Sequence, residues 1–267
     1  MIDWISQQVA HNISKWDNSI EAYYPEHLEN WRDPVKHYRQ LKNTWNHLDA
    51  VKLIAWNKFI NKENQKVLDL GGGTGWLSSY LSNNKFIESI LLIDSSEYLI
   101  EKMVNEIIIL MEGDKTKINC VRGLFSPILV DDNYFDIVVS SAALHHAENL
   151  EDTLIEVNRV LKKNGLLFIL NEIPYNNYKY ILALVKQFIK IMIKTSLKNY
   201  SKISPSISSS GYLYDPFLGD RDYPDWFWKK AIINSGFVCI EKQITPLKPN
   251  RIINEGINLT HYICRKL

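Results

Sequence analysis

Two short stretches hold most of the residues that could do chemistry. Between Lys66 and Ser82 the chain reads KVLDLGGGTGWLSSYLS, and between Tyr134 and Leu150 it reads YFDIVVSSAALHHAENL. The first describes a strand that ends at Asp69 and turns through Gly71, Gly72, Gly73 and Gly75 into a helix beginning near Trp76. Such a turn gathers backbone N–H groups at a helix start, and the missing Cβ atoms let a ligand lie directly against it. No Gly-Lys-Ser/Thr follows, which excludes a P-loop, and Trp76 stands where a dinucleotide fingerprint would place its third glycine. The pattern left is D-x-G-x-G-x-G. Asp94 closes the next strand candidate, LLID, about 25 residues beyond Asp69, the spacing at which an acidic side chain meets ribose hydroxyls. A ligand carrying a ribose is expected, although Asp94 would also suit as the cap of a helix in SSEYLIEKM. In the second stretch, His145 and His146 offer imidazoles that can exchange protons near neutral pH. A general acid–base role for them stands beside a structural or substrate-wall role. Glu172, in LNEIP, falls at the carboxyl edge where open α/β sheets bind ligands. It either touches substrate or forms an ion pair with a flanking helix. No aspartate pair has metal-ligand spacing, so no metal is expected.

These residues need a scaffold, and the surrounding pattern supplies one. KVLDL, SILLID, KINCV, YFDIVVSS and LLFIL are strand candidates separated by stretches long enough for crossover helices, which predicts a parallel sheet covered on both faces. In NLEDTLIEVNRVLKKNG the apolar residues Leu150, Leu154, Val157 and Leu161 recur at helical spacing. Asn149 is placed to cap, Glu151 and Asp152 lie in the first turn, and Lys162, Lys163 and Gly165 supply the stop. Residues 1–65 read as a helical accessory region interrupted at Pro25 and Pro34 and rich in aromatics: Trp4, Trp16, Tyr23, Tyr24, Trp31, Tyr38, Trp45 and Trp56. Residues 66–172 form the α/β core. Residues 173–223 hold a long apolar helix, YKYILALVKQFIKIMIKTSLKNY, and a serine-rich loop. Residues 224–267 add a helix and two strands, FVCIEKQI and LTHYICRK. In the long helix Lys186, Lys190, Lys194 and Lys198 make one stripe, and the rest is apolar. It predicts either a cap over the substrate pocket or a helix lying on an anionic membrane.

Composition excludes several classes. The 267 residues are 46% hydrophobic and 23% charged, with 31 Lys+Arg against 30 Asp+Glu and a net charge of +1. Mixed signs give no general pull on a polyanion, so nucleic acid is not an expected partner. Cys120, Cys239 and Cys264 are widely spaced and lack C-x-x-C, arguing against a disulfide framework or a zinc knuckle and for a reducing compartment. No leader pattern opens the sequence and no apolar run reaches the roughly 18 residues of a span. A soluble cytoplasmic protein is expected, with no stable membrane insertion and only peripheral contact left open.

The ordered set of motifs resembles the class I S-adenosylmethionine-dependent methyltransferases, in particular the small-molecule branch that carries SAALHH. VLDLGGGTGWLS is similar to the family's glycine-rich first motif, LLIDSS to its acidic second strand, and YFDIVVSSAALHHAENLEDTLIEVNRVLKKNGLLFI to its fourth strand, following helix and fifth strand. The resemblance implies a Rossmann-like, seven-stranded, mostly parallel sheet with an antiparallel last strand, to which a helical N-terminal region and an inserted helical lid are added. It implies that Gly71, Gly72, Gly73 and Gly75 line the methionine part of S-adenosylmethionine, that Asp69 supports the loop and the ammonium, and that Asp94 accepts both ribose hydroxyls with Ser95 against the adenosine. The family's acidic residue after the third strand is replaced in RGLFSPI by Leu124, so adenine is expected to rest on Leu124 or Phe125. Ser141 and Ala142 are expected to face the sulfonium. The absence of an NPPY-type sequence after the fourth strand argues against adenine or glutamine as acceptors.

The expected function is methyl transfer to an O, N or C atom of a small molecule of natural-product, quinone-like or sugar-derived type, with S-adenosylhomocysteine as product. His145, His146 or Glu172 would serve as base. A catalytically silent S-adenosylmethionine-binding partner or regulatory protein is the alternative. The lid residues Asp215, Asp220, Arg221 and Asp222 are expected to help choose the acceptor.

Overall fold

A computed structural model describes residues 2–5, 29, 32–196, 206–207, 213–214, 220–249 and 258–267. Trp16, Tyr23, Tyr24, Trp31, Lys198 and Asp215 lie outside the described residues, as do the side chains of Lys190 and Lys194. The strands are β1 (Ile2–Asp3), β2 (Gln65–Leu70), β3 (Ile87–Asp94), β4 (Ile118–Arg122), β5 (Phe135–Ser141), β6 (Leu161–Glu172), β7 (Ser206–Ile207), β8 (Leu213–Tyr214), β9 (Phe237–Ile244) and β10 (Thr260–Lys266). The helices are α1 (Pro34–Asn43), α2 (His47–Lys52), α3 (Trp76–Ser82), α4 (Val104–Leu110), α5 (Leu150–Val160), α6 (Asn177–Ser196) and α7 (Asp225–Asn234). A π-helical turn, Leu99–Met103, leads into α4, and a 3-10 turn, Leu144–His146, follows β5.

Eight strands form one sheet in the order β1-β4-β3-β2-β5-β6-β10-β9, and β7 pairs with β8 in a separate ribbon. The strands from β1 to β6 pair in parallel, while β10 runs antiparallel to both β6 and β9. The expected seven strands and antiparallel last strand are therefore present, with a correction at one edge. The short strand β1 pairs Ile2 with Val121 and Asp3 with Arg122, in a segment read as helical. Arg122 fixes that edge with ion pairs to Asp3 and Glu97, each 3.2 Å long.

Alternation along each strand builds two cores. Leu68, Leu70, Val138, Leu167 and Ile169 pack on one face with Leu154 and Val157 of α5 and Trp228 of α7. Val67, Val139, Phe168 and Leu170 pack on the other with Leu41 of α1, Leu48 and Val51 of α2, and Leu77 and Leu81 of α3. This period-two division is what a sheet buried on both sides requires. Helix α5 starts at the expected cap, where Asn149 Oδ1 accepts from the N–H groups of Glu151 (3.0 Å) and Asp152 (3.3 Å). It stops earlier than expected, because Leu161 is already extended and opens β6.

Helix α6 presents much of its apolar surface to the outside. Ile181, Leu182, Val185, Phe188 and Ile189 are exposed, and Tyr180 is the buried side chain of its first turns. Among the described residues, no helix is long and apolar enough to cross a membrane.

Candidate functional site

The chemistry-bearing residues converge at the carboxyl ends of β2, β3, β5 and β6, beside the point where the order of parallel strands reverses. That is where an open α/β sheet leaves a crevice. Asp69, in β2, is 1% exposed, and its Oδ2 accepts from the N–H (3.1 Å) and Oγ–H (2.7 Å) of Ser78 in α3. Its other oxygen, Oδ1, is buried with no hydrogen-bond donor. Burial pushes the carboxyl up to about 7; the Ser78 bonds pull it down, and the neighbouring Asp94 pushes it further up. A buried acceptor of this kind is costly unless a cationic or N–H group meets it.

The glycine turn is built differently from a phosphate cradle. Gly71, Gly73 and Gly75 take φ of +71°, +53° and +77°, conformations that strain other residues. A Cβ on Gly71 would stand 2.7 Å from Ala143 Cβ and 2.9 Å from the Phe125 ring, so the backbone here is pressed between two walls of the crevice. The N–H groups expected to face a ligand are already bonded. Gly71 and Gly72 donate to Ile93 O at 2.9 and 3.0 Å, Gly75 donates to Gly72 O at 2.9 Å, and Gly73 donates to Asp94 Oδ2 at 2.8 Å. Through Gly71, Gly72 and Gly73 the turn folds back on β3.

Asp94 takes the cap role read from the sequence and adds a bond to the glycine turn. Its Oδ2 holds Gly73, and its Oδ1 accepts from Ser96 N–H at 2.9 Å as a cap. Each carboxylate oxygen has a second lone pair, which leaves acceptor capacity at the end of β3. Burial raises this carboxyl, opposed by the N–H bonds of Ser96, Gly73 and Ser95. Phe125 sits against Gly71, whereas Leu124 is at the surface, and Trp4 packs beside Gly123.

At the far side of the crevice, Ala142 takes φ +48° and donates its N–H to Leu170 O at 2.8 Å, while Ser141 Oγ accepts from Asn171 Nδ2 at 2.9 Å. Glu172 lies beneath the histidine turn, 1% exposed. Its Oε1 accepts from Leu144 N–H at 3.1 Å, and its Oε2 lies 2.8 Å from His145 Nδ1. Glu172 is thus a support for the turn, in place of the open-edge group or helix ion pair expected for it. His145 Nε2 lies 3.9 Å and His146 Nδ1 3.2 Å from Asp220 Oδ1. Arg221 fastens this neighbour: its N–H donates to His145 O at 3.0 Å and its Nη1 to His146 O at 2.9 Å.

Sequence reasoning missed three supporting pairs. His37 Nε2, in α1, lies 2.9 Å from Thr74 Oγ1 and ties the N-terminal helices to the glycine turn. Asn171 takes φ +55° and donates its N–H to His261 Nδ1 at 3.1 Å; His261 Nε2 then faces Ala50 O at 3.1 Å. The Nδ1 of His261 is therefore the acceptor and Nε2 carries the proton. Burial lowers His37 and His261 to about 4, so both are neutral. No local spacing marks these partners, since each pair joins distant elements.

Residues 68–169 match the family described as Methyltransferase domain. The sterol 24-C-methyltransferase ERG6A of Gibberella zeae is 29% identical over 179 residues, covering 64% of this chain and 46% of that protein. The demethylmenaquinone methyltransferase of Leptospira interrogans is 27% identical over 146 residues, covering 52% of this chain and 57% of that protein. The chain thus spans about half the length of these curated relatives. Among solved structures, the S-adenosylmethionine-dependent methyltransferase of Mesorhizobium loti superposes with a TM-score of 0.55 at 16% identity, covering 85% of this chain and 100% of that one.

Proposed function

We propose that this chain, whose residues 68–169 form a class I, Rossmann-like methyltransferase domain, binds S-adenosylmethionine at the glycine turn and methylates a small-molecule acceptor. One observation carries the reading: Asp69 Oδ1 is a buried carboxylate oxygen with no donor, set under the turn at the end of β2. The ammonium of the methionine moiety is the donor that suits it, and a charge-assisted bond there would offset the burial of the carboxylate.

Bound at this site, S-adenosylmethionine supplies an electrophilic methyl group on a sulfonium. The protein's share is to bind, orient and exclude water. Asp94 offers its remaining lone pairs to the ribose hydroxyls while holding Gly73, so ligand and turn share one anchor. Phe125 and Leu124 offer the adenine apolar contact, with Ser95 beside them. Ser141 and Ala142 border the sulfonium side, with the Ala142 N–H held by Leu170 O and the Ser141 hydroxyl by Asn171 Nδ2.

The acceptor would enter beside the histidine turn. His145 Nδ1 lies 2.8 Å from Glu172 Oε2, and a proton placed between them would put the imidazole lone pair on Nε2. Such a group is useful where an acceptor hydroxyl must lose its proton, so the arrangement favours an oxygen acceptor among the O, N and C candidates. The sterol and demethylmenaquinone methyltransferases named above act on apolar ring compounds by their names, which supports an acceptor of similar size and character.

Calorimetric titration with S-adenosylmethionine and, separately, S-adenosylhomocysteine tests the reading. Micromolar binding of both is expected; binding of neither would refute it.

A further inference from the structure

His145, His146 and Asp220 form a group that the methyl-donor site does not use. One ligand atom from each lies within 4.8 Å of the others. The two measured separations from Asp220 Oδ1 are 3.9 Å to His145 Nε2 and 3.2 Å to His146 Nδ1. Two donors held about 2.0–2.1 Å from a zinc-sized ion at tetrahedral angles lie about 3.4 Å apart. The observed pair brackets that value. The two imidazole rings lie side by side, with centroids 4.2 Å apart and planes at 42°.

A second observation points the same way. His145 turns Nδ1 to the buried Glu172 at 2.8 Å, and that carboxylate is 1% exposed. Metal-ligating histidines nearly always hand their other ring N–H to a carboxylate or carbonyl, which fixes the tautomer and raises the basicity of the free nitrogen. Asp220 is also held in advance, because the next residue bonds to the carbonyls of both histidines. Two imidazoles and one carboxylate suit a first-row transition metal better than magnesium or calcium, which prefer oxygen ligands.

We propose that His145 Nε2, His146 Nδ1 and Asp220 Oδ1 bind a divalent transition-metal ion of the zinc or iron(II) type at the acceptor edge of the crevice, with Glu172 as the positioning residue. Three protein ligands leave coordination positions open, the arrangement of sites that bind substrate oxygen. This rests on the methyltransfer reading and narrows its acceptor: a molecule with a phenolic, enolic or vicinal oxygen that can enter the coordination sphere. A bound ion would lower the pKa of a coordinated acceptor hydroxyl, so that its proton could pass to solvent. With metal present His145 would be held as a ligand by Glu172, in place of the base role given to it above.

The test uses full-length protein freed of metal with a chelator and titrated with Co2+, read by visible absorption, and with Zn2+, read by calorimetry. The expected result is one ion per chain with the ligand-field bands of a nitrogen- and oxygen-ligated cobalt site. Asp220→Asn and His146→Ala should each weaken binding at least tenfold, and Glu172→Gln by about 10- to 100-fold. Absence of cobalt bands, or affinities unchanged in Asp220→Asn and His146→Ala, would overturn the site. Intense cobalt–thiolate absorption lost in Cys239→Ser would overturn it too, by moving the ion to Cys239 and Cys264, which face each other across β9 and β10. S-adenosylmethionine affinity measured on the same samples separates the two proposals: its absence with cobalt still bound would count against methyl transfer alone.

Discussion

Asp69→Asn isolates the electrostatics of the glycine turn. The wild-type carboxyl is pushed from 3.8 to about 7 by burial, and its folded pKa therefore lies above its unfolded one. A raised carboxylate pKa means that the folded state holds the proton more tightly, so its contribution to stability is full below about 4 and is lost as pH rises through 7. Roughly three pH units correspond to about 4 kcal/mol. Asn keeps an oxygen for Ser78 and carries no charge, so at pH 8 the variant should be more stable than wild type, by up to about 4 kcal/mol. Binding should move the other way. A charge-assisted hydrogen bond contributes about 1.5–3 kcal/mol, which predicts that the variant binds S-adenosylmethionine roughly 10- to 150-fold more weakly. In the wild type, ligand binding must also expel the Asp69 proton below pH 7, so affinity should fall up to about tenfold per pH unit as the solution is acidified. Urea denaturation at pH 5 and 8, with calorimetry in buffers of different ionisation heat, measures all three. An affinity that is flat from pH 6 to 8, with no proton release, would show that Asp69 does not meet the ammonium.

Other parts of the scaffold make separate predictions. Asp94→Ala removes the acceptor for Gly73 and Ser96 together and should weaken S-adenosylmethionine at least tenfold, with about 1–2 kcal/mol lost in urea; unchanged affinity would dismiss its ribose role. His261 is lowered to about 4, so its stability contribution is present above 6.5 and lost as pH falls toward 4, by about 3 kcal/mol. The difference between urea midpoints of wild type and His261→Gln should change across that window and nowhere above it. Trp228 is 1% exposed and stacks on Tyr262, so Trp228→Ala should cost about 3–5 kcal/mol, read as a lowered urea midpoint.

The strands were legible because local rules agreed with the global fold. KVLDL and YFDIVVSS alternate between faces, glycines mark the turn, and Asn149 with two acids marks a helix start. What escaped notice was set by partners far away in the chain. The antiparallel run of β10 followed from the resemblance, but β1 is two residues long, too short for any periodicity. The availability of the glycine N–H groups depended on whether the turn would reach back to Ile93 O of β3, which no residue type announces. Glu172 was placed at the correct strand end yet assigned to the open edge; the tight turn at Ala142 brings Leu144 and His145 over it. Asp220 was noticed only as part of a lid, because its closeness to the histidines is made by Arg221 bonding to two carbonyls. In α6 the side chains of Ile181, Leu182, Val185, Phe188 and Ile189 are exposed, and amphipathic spacing shows that an apolar face exists but not what it meets.

The glycine turn's inward hydrogen bonding bears on which molecules the crevice turns away. Adenosine phosphates share the ribose and base that the proposed function assigns to Asp94 and Phe125, yet they carry anionic groups where the methionine chain would lie. All four glycine N–H groups are already donated within the protein, so a phosphate would find no donor among them and would face the buried Asp69 carboxylate instead. On the proposed reading, discrimination against ATP is built into the loop, because its glycine donors are already committed within the protein.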